Sequence, residues 1–507
     1  MVLPHGLLDD GPSFRRTPPT VEGRQAHMSQ ARPPGPTRAV VLGGSIAGML
    51  AAAAVKDHVD HVEIVEAHDL PDGPEPRTGV PQAAHVHLLQ TGGVEAIEAL
   101  LPGWADALVA EGAHRVPETT GMVLYAPEGW YRRWQRATHH LITAGRDLTD
   151  SVVRRRVRQD PRVGVRPRTR AVGLLGDARK VTGVLVRTAD GVTAELAADL
   201  VVDATGRASR TPEWLARLGI TGLREDRIDS GLAYASRLYR APVPTRNWPV
   251  VGIQADPGLS RPGAAGAIAP IEGGAWQVSL MGAPGGRPTA DPDAFLPFAR
   301  GLRHPLIADL IEHAEPLTGV SVTHGTANRR RYYERLPAWP DGLVVLGDAV
   351  AAVNPLYGHG MSVAAQEAVA LRDLLRTAGP GPGLARRAQR AVARCADTAW
   401  ALSVGQDIHF PTTTGKRPTV ADRLLHRYVG RLSRTATGSF HAATALTDVL
   451  ALQAAPASLL RPAVLVTALA GPLRPPLDGP QFTPAERALL DALREPGGRH
   501  PREPGAA

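Results

Sequence analysis

Cysteine is nearly missing from this chain: Cys395 is the only one in 507 residues. That rules out an internal disulfide and any metal site built on several thiolates, and it suits a reducing, cytoplasmic location. Lysine is almost as scarce, limited to Lys56, Lys180 and Lys416. Basic residues still outnumber acidic ones, 57 to 49, for a formal charge of +8. Arginine therefore carries the excess, and no helix-length stretch gathers it into a basic stripe, so no nucleic-acid partner is expected. Aromatics make up only 4%, too few to wall a site with stacked rings, and Leu, Val and Ala must fill most of the interior. No apolar run reaches the roughly 18 residues of a membrane-spanning helix. The nearest, Ala463 to Gly471, is short and bracketed by Pro462 and Pro472, so no transmembrane segment is expected. Near the start, Arg15-Arg16 is followed by Thr17-Pro18-Pro19 and not by an apolar core, which does not read as a secretory signal.

What is present is a nucleotide-binding rhythm. Residues 1–36, rich in Pro, Gly and polar groups without a period, read as a disordered arm. Arg38–Leu42 is then an apolar strand, Gly43-Gly44-Ser45-Ile46-Ala47-Gly48 opens an Ala-rich helix, and Val62–Val65 is a second strand ending at Glu66. The dinucleotide fingerprint needs a tight turn, close approach to a pyrophosphate and an acid for the adenosine ribose. Gly43, Gly48 and Glu66 supply the first, third and acidic positions, and Ser45 is small enough for the middle one. Late in the chain Leu343–Leu346 reads as a buried parallel strand. Gly347-Asp348 ends it, and Pro355, Gly358, Gly360 and Met361 lead into a second Ala-rich helix. Glycines just before a helix let the backbone approach a ligand and aim free N–H groups at a phosphate, a carboxylate or an electron-rich ring oxygen.

Between these two stretches the pattern changes. Helices are expected near Thr91–Leu101 and over Asp147–Arg156, the latter with Arg146 just before it and Arg154, Arg155 and Arg156 on its surface. Residues 113–142 alternate apolar and polar, as strands do. From Ala171 to Ala204 short apolar segments form a β-meander that ends at Asp203-Ala204-Thr205-Gly206-Arg207-Ala208-Ser209. Gly231–Arg240, Pro249–Gln254, Gly266–Ile271 and Ala275–Met281 read as an antiparallel sheet, with Glu272-Gly273-Gly274 as a hairpin turn. Beyond Leu371 the pattern is helical to about Ala470, and a Pro-rich, mobile tail is expected after it.

The run Gly347-Asp348-Ala349, Pro355, Gly358, Gly360 resembles the second FAD-contacting motif of the flavoprotein monooxygenases, with Ala351 and Ser362 where members usually carry His and Asn. The Asp203–Ser209 run resembles their middle motif, with Gly206 and Ser209 in place but Thr205 at the position of an acid linked to pyridine-nucleotide handling. Arg77 matches an arginine that lies along the flavin, and Arg146 matches one that reaches the cofactor from a helix start. His85 and His87 have no metal-ligand neighbours and are expected to pack or hydrogen-bond in their loop. From about Arg38 to past Trp400 the running sequence, notably Arg77–His87, Asp229–Pro242 and Gly342–Ser362, is similar to the FAD-dependent polyene epoxidases of polyether ionophore biosynthesis, the lasalocid and monensin type.

The resemblance implies an α/β fold: a Rossmann-like FAD-binding domain with a β-meander (37–112, 143–212 and 336–378), an antiparallel-sheet substrate domain (113–142 and 213–335), a C-terminal helical region (379–470) and a tail (471–507). It implies non-covalent FAD, O2 as co-substrate, and NAD(P)H acting directly or through a separate flavin reductase. The substrate would be an apolar polyene polyketide, epoxidised at several alkenes by a flavin C4a-hydroperoxide, with no side chain as an essential acid or base. Aromatic hydroxylation is the alternative and needs a base or donor for a phenol. Flavin-dependent halogenation would need a lysine beyond the first βαβ unit and a W-x-W-x-I-P run; Lys56 lies inside the first helix and Trp130–Trp134 does not fit. A flavoprotein that only binds or senses would show no O2-coupled turnover.

Overall fold

The computed structural model describes residues 37–257, 263–379 and 381–494, so the arm read over 1–36 and the last residues of the chain, 495–507, lie outside the described residues. Arg38–Leu42 lies at the centre of a five-stranded parallel sheet. Across the sheet the order is Leu343–Val345, Leu200–Asp203, Arg38–Leu42, His61–Val65 and Val163–Arg166. Val41 pairs with Val202 on one side and with Ile64 on the other. These strands are runs of Val, Ile and Leu because both faces are covered, by helices and by the meander strands Thr169–Gly176 and Val181–Thr188, leaving no side that must be polar. The helix Ile46–Val55 is apolar all round and nearly every residue of it is buried. Such a helix belongs inside a protein, and here it packs against the helices Arg146–Arg158 and Gly360–Ala378. The three-stranded meander Thr169–Gly176, Val181–Thr188 and Thr193–Ala197 leads into the strand Leu200–Asp203.

An eight-stranded, mostly antiparallel sheet forms the second layer, built on Ala233–Arg240, Ala275–Gly282, Ala265–Ile271, Val250–Ile253 and Met122–Ala126. Alternation along these strands separates two faces. One buries Trp130, Trp248, Trp276, Tyr239, Phe295 and Ile268 in a core of its own. The other carries Tyr234, Ser236, Gln277, Ser279 and Ala265, Ala267 and Ala269, with Ser236 opposite Ser279 and Ser279 opposite Ala267. Eight of the chain's 22 aromatic residues thus gather behind the sheet. Its other face is mostly Ser and Ala, with Tyr234, Gln277 and Met281 among its larger side chains.

The chain closes with the helices Leu384–Asp407, Val420–Ala436, Phe440–Leu450 and Pro462–Ala470. Thr419 and Asp422 form a reciprocal capping box at the start of the second of these. The mobile tail expected after Ala470 is corrected by the structure up to Arg494. Phe482 is buried in the aromatic core behind the sheet, with Leu477, Leu489 and Leu490 packed around it. Leu489 and Leu490 come from the helix Pro484–Arg494, and Glu486 pairs with Arg133 with both side chains about 11% exposed. Proline content marked where helices stop and said nothing of this docking.

Candidate functional site

The first βα turn is shaped by collisions that side chains would cause. A Cβ on Gly48 would overlap the Gly43 carbonyl oxygen, and Gly43 has φ +98° with the Ala204 carbonyl oxygen 2.7 Å from where its Cβ would stand. Glycine is therefore required at both places. No side chain caps the helix Ile46–Val55, and none caps the helix Gly360–Ala378, so both offer unpaired N–H groups and the positive end of a helix dipole. Ala47 keeps an exposed side while the other nine residues of its helix are buried. Gly43, Ser45 and Asp348 are likewise part-exposed beside buried neighbours, and Gly206 is part-exposed with Thr205 and Arg207 on either side. Together they outline a groove.

The structure brings the two glycine-rich stretches together along it. A Cβ on Gly347 would lie 3.2 Å from that of Ala47, one on Gly206 would lie 3.9 Å from Asp348, and one on Gly360 would lie 3.8 Å from Asp348 Oδ1. Asp348 also pairs with Arg207 at 3.5 Å. Asn354 accepts the Leu356 N–H and starts the turn Pro355–Tyr357. Gly358 ends that turn at φ +67° against the Leu88 carbonyl, and Met361 follows, half-buried. Ile46 is different: its side chain is in the core, and only its backbone faces the turn.

At the other end of the groove lies a buried ionic network. Glu66 accepts the Gly44 N–H at 2.7 Å and the His68 N–H at 3.0 Å, and it pairs with Arg77 at 3.2 Å. Arg77 also donates to the Gly44 carbonyl and lies 3.5 Å from Asp150. Asp150 in turn holds Arg146 at 2.7 Å, and Arg146 reaches Ser45 Oγ at 3.4 Å. The structure thus places Arg77 at the Glu66 end of the groove. An open cavity of about 330 Å³ borders this end, lined by Ala67, His68, Leu70, Arg77, Thr78 and Arg168 among others. Asp150 was not singled out from sequence, although its spacing of four from Arg146 on one helix is a readable signal. Arg154 corrects the surface assignment given to its triplet: it is buried and donates to the Gly73 carbonyl at 2.7 Å. Arg155 and Arg156 are at the surface, on Glu111 and on the Pro102 carbonyl.

Behind the groove Asp203 accepts from Thr205 N–H and hydroxyl, from Ser209 and from Thr211. Thr205 is thereby folded back on its own strand end. Beneath the Asn354–Gly358 turn, buried Asp407 accepts from Asn328, Asn354, Tyr357 and Ser230, and the Tyr234 hydroxyl donates to Asn354 at 2.5 Å. Burial raises the Asp407 carboxyl above its ordinary value, and it raises the Tyr234 and Tyr357 phenols further. Glu367 receives the Gly347 N–H, and burial pushes its carboxyl up to about 8. Asp407 lies some way along the chain from the turn it holds, and no local motif announces it.

The model of a family described as FAD binding domain matches residues 36–404. The chain belongs to this FAD-binding family. Within the flavin-dependent monooxygenases, the flavoprotein is 31% identical over 392 residues to the Mycobacterium tuberculosis protein Rv3254, covering 75% of this chain and 81% of that one. It is 29% identical over 378 residues to a kynurenine 3-monooxygenase of Salinispora arenicola, covering 70% and 75%. Its fold matches that of CmlS, a flavin-dependent halogenase, with a TM-score of 0.60 at 16% identity, over 91% of this chain and 76% of that one. The groove fits the cofactor of the family. Its collision-free glycine turn leaves room for a pyrophosphate, buried Glu66 stands where a ribose diol would need an acceptor, and the uncapped helix starts suit a phosphate at one end and a ring oxygen at the other. Among the described residues no cluster of His, Cys, Asp or Glu is arranged to hold a metal, and no helix is long and apolar enough to cross a membrane.

Proposed function

We propose that this flavoprotein is a monooxygenase that epoxidises several alkenes along one linear, apolar polyene polyketide, in the manner of polyether antibiotic biosynthesis. FAD would be held by Gly43, Ser45, Ala47, Gly48 and the Ile46 backbone at the pyrophosphate, by Glu66, Arg77 and Arg146 around the adenosine half, and by Gly206, Asp348, Pro355, Gly358, Gly360 and Met361 toward the ring. Bound and reduced, the flavin supplies an electrophilic oxygen taken from O2. The chain's own residues bind, orient and exclude water.

The observation that carries this reading is the protonation state of the groups between the small-residue sheet face and the Asn354–Met361 turn. Burial holds His85 and His359 down to about 4, and burial with the nearby Arg146 charge holds His87 down to about 3. Tyr234 and Tyr357 are pushed the other way. Hydroxylating a phenol calls for a base poised near neutral pH, and an alkene asks for none. Glu118, which burial pushes up to about 7, faces Thr91 and Asp448 instead, and Glu367, pushed up to about 8, is fully buried behind the turn on the Gly347 N–H. Aromatic hydroxylation is nevertheless the second reading, favoured by the likeness to kynurenine 3-monooxygenases.

Attachment of FAD would be non-covalent: burial pushes the Cys395 thiol to about 12, far from a reactive thiolate. With Thr205 turned onto Asp203 where related enzymes carry an acid, NADPH alone would reduce the flavin slowly, and a separate flavin reductase would serve as donor. Oxygen uptake by the holoenzyme tests the donor and the substrate together. A polyene should stimulate uptake when a reductase is added, and much less with NADPH alone. Uptake driven by a phenol and NADPH without a partner, and unaffected by polyenes, would favour the hydroxylase.

A further inference from the structure

The segment His85–Gln90 runs between the small-residue sheet face and the turn at Gly358. Val86 donates its N–H to Ser279 Oγ at 2.8 Å on the sheet side. On the other side the Leu88 carbonyl lies 3.3 Å from where a Gly358 Cβ would stand, and the Gln90 N–H reaches Ser362 Oγ at 3.2 Å. His85 is 4% exposed, and its ring centroid is 5.8 Å from that of Tyr234, whose hydroxyl is bonded to Asn354. Ala267, central on the sheet and between buried neighbours in its strand, keeps partial exposure.

His85 is held at one edge only. Its Nδ1 lies 2.7 Å from Ser236 Oγ, and Ser236 Oγ lies 2.6 Å from Ser279 Oγ. Ser279 accepts the Val86 N–H and has Ser236 as its one acceptor among the hydrogen bonds of the described residues, which sends its proton to Ser236 and that of Ser236 to Nδ1. Run the other way, the relay would leave Ser279 with a hydroxyl proton and no acceptor among the hydrogen bonds of the described residues. On this order of donors the imidazole carries its proton on Nε2. That Nε2 is buried and has no partner. Burial keeps the ring neutral, down to about 4, so it stays a single donor at neutral pH. A buried N–H without an acceptor costs on the order of 1–3 kcal/mol, and a ligand oxygen that arrives there recovers it.

We propose that His85 Nε2–H is the polar anchor of the substrate chamber, and that it takes an oxygen acceptor, a ketone, ester or hydroxyl, carried by an otherwise apolar chain. The substrate is then an oxygenated polyene and not a pure hydrocarbon. This rests on the monooxygenase reading above and narrows its substrate class. His85 is a binding and specificity residue, and Ser236 and Ser279 are positioning residues that set its tautomer.

The test compares two probes on the FAD-loaded protein: farnesylacetone, a linear triene ketone, and the hydrocarbon in which its C=O is replaced by CH2. Dissociation constants come from the perturbation of the bound flavin spectrum. The parent protein should bind the ketone about tenfold more tightly, the scale of one buried hydrogen bond. In His85→Phe the ratio should fall to about one through loss of ketone affinity alone. Ser236→Ala, which frees the other tautomer, should lower the ratio with the ring still present, and it decides the matter if His85→Phe does not load FAD. Equal binding of the two probes by the parent, a ratio preserved in both variants, or no binding of either probe overturns the proposal. Product analysis of the same mixtures keeps the two ideas apart. Epoxides with a preserved ratio sink the anchor alone, and a lost ratio without epoxides sinks the epoxidase reading alone.

Discussion

Gly48 and Glu367 show how single residues set the groove. The Gly48→Ala side chain would overlap the Gly43 carbonyl, and the turn cannot open without moving the strand end it closes. Overpacking of this kind costs about 1–3 kcal/mol, and here it falls on the backbone that would meet the pyrophosphate. The variant should be isolated largely without flavin. In the parent, denaturation should release all of the flavin into the supernatant, and flavin left on the precipitated chain, or a full complement in Gly48→Ala, would contradict this. Glu367 offers a pH test. Its folded-state pKa of about 8 lies above the ordinary value of 4.5, so the folded state holds the proton more tightly than the unfolded chain. Its contribution is thus fully present at low pH and is lost as pH rises from about 4.5 through about 8. Glu367→Gln mimics the protonated acid and keeps an acceptor for the Gly347 N–H. Its melting temperature relative to the parent should rise between about pH 5 and about pH 9. A difference that does not change with pH would show that the carboxylate is stabilised by something other than its proton.

Among the elements, those with a period or a turn signature were legible in the sequence, and those held by distant side chains were not. The strand Arg38–Leu42 and the hairpin at Glu272–Gly274 fall where they were read, and the helix Arg146–Arg158 runs one residue earlier and two later than the expected Asp147–Arg156, because alternation, helical period and glycine φ are local properties. The convergence of Gly43–Gly48 with Gly347–Gly360 could be anticipated only from the family pattern. The links that make it a site, Asp150 between Arg77 and Arg146 or Asp407 beneath Asn354, depend on pairings across the fold. The segment after Ala470 was misread for the same reason: its apolar residues have no evident use until the aromatic core behind the sheet is seen. Phe482→Ala should remove the main contact of that segment, at about 3 kcal/mol for a buried phenylalanine. Limited proteolysis should then cut within 472–494 much faster than in the parent, with flavin content unchanged. Equal cleavage rates would mean that the docked arrangement contributes little.

At the scale of the whole molecule, two layers divide the work. The parallel sheet and its helices form a groove that is glycine-lined and capped by no side chain. The antiparallel sheet keeps its tryptophans behind it and turns Ser236, Ser279, Ala267, Gln277 and Tyr234 toward that groove. On the proposed epoxidase reading, the Ser- and Ala-rich part of this face would let an extended chain slide, so that successive alkenes would meet the same face of the flavin, and pocket residues would govern binding and regiochemistry more than the chemical step. The measurement that tests this most directly is mass spectrometry of one oxygenated polyene incubated with the holoenzyme, a reductant and 18O2. The account predicts a series of products one, two and three oxygens heavier, every added oxygen carrying the label. A single ring-hydroxylated product from a phenol, with the polyene recovered unchanged, would contradict it.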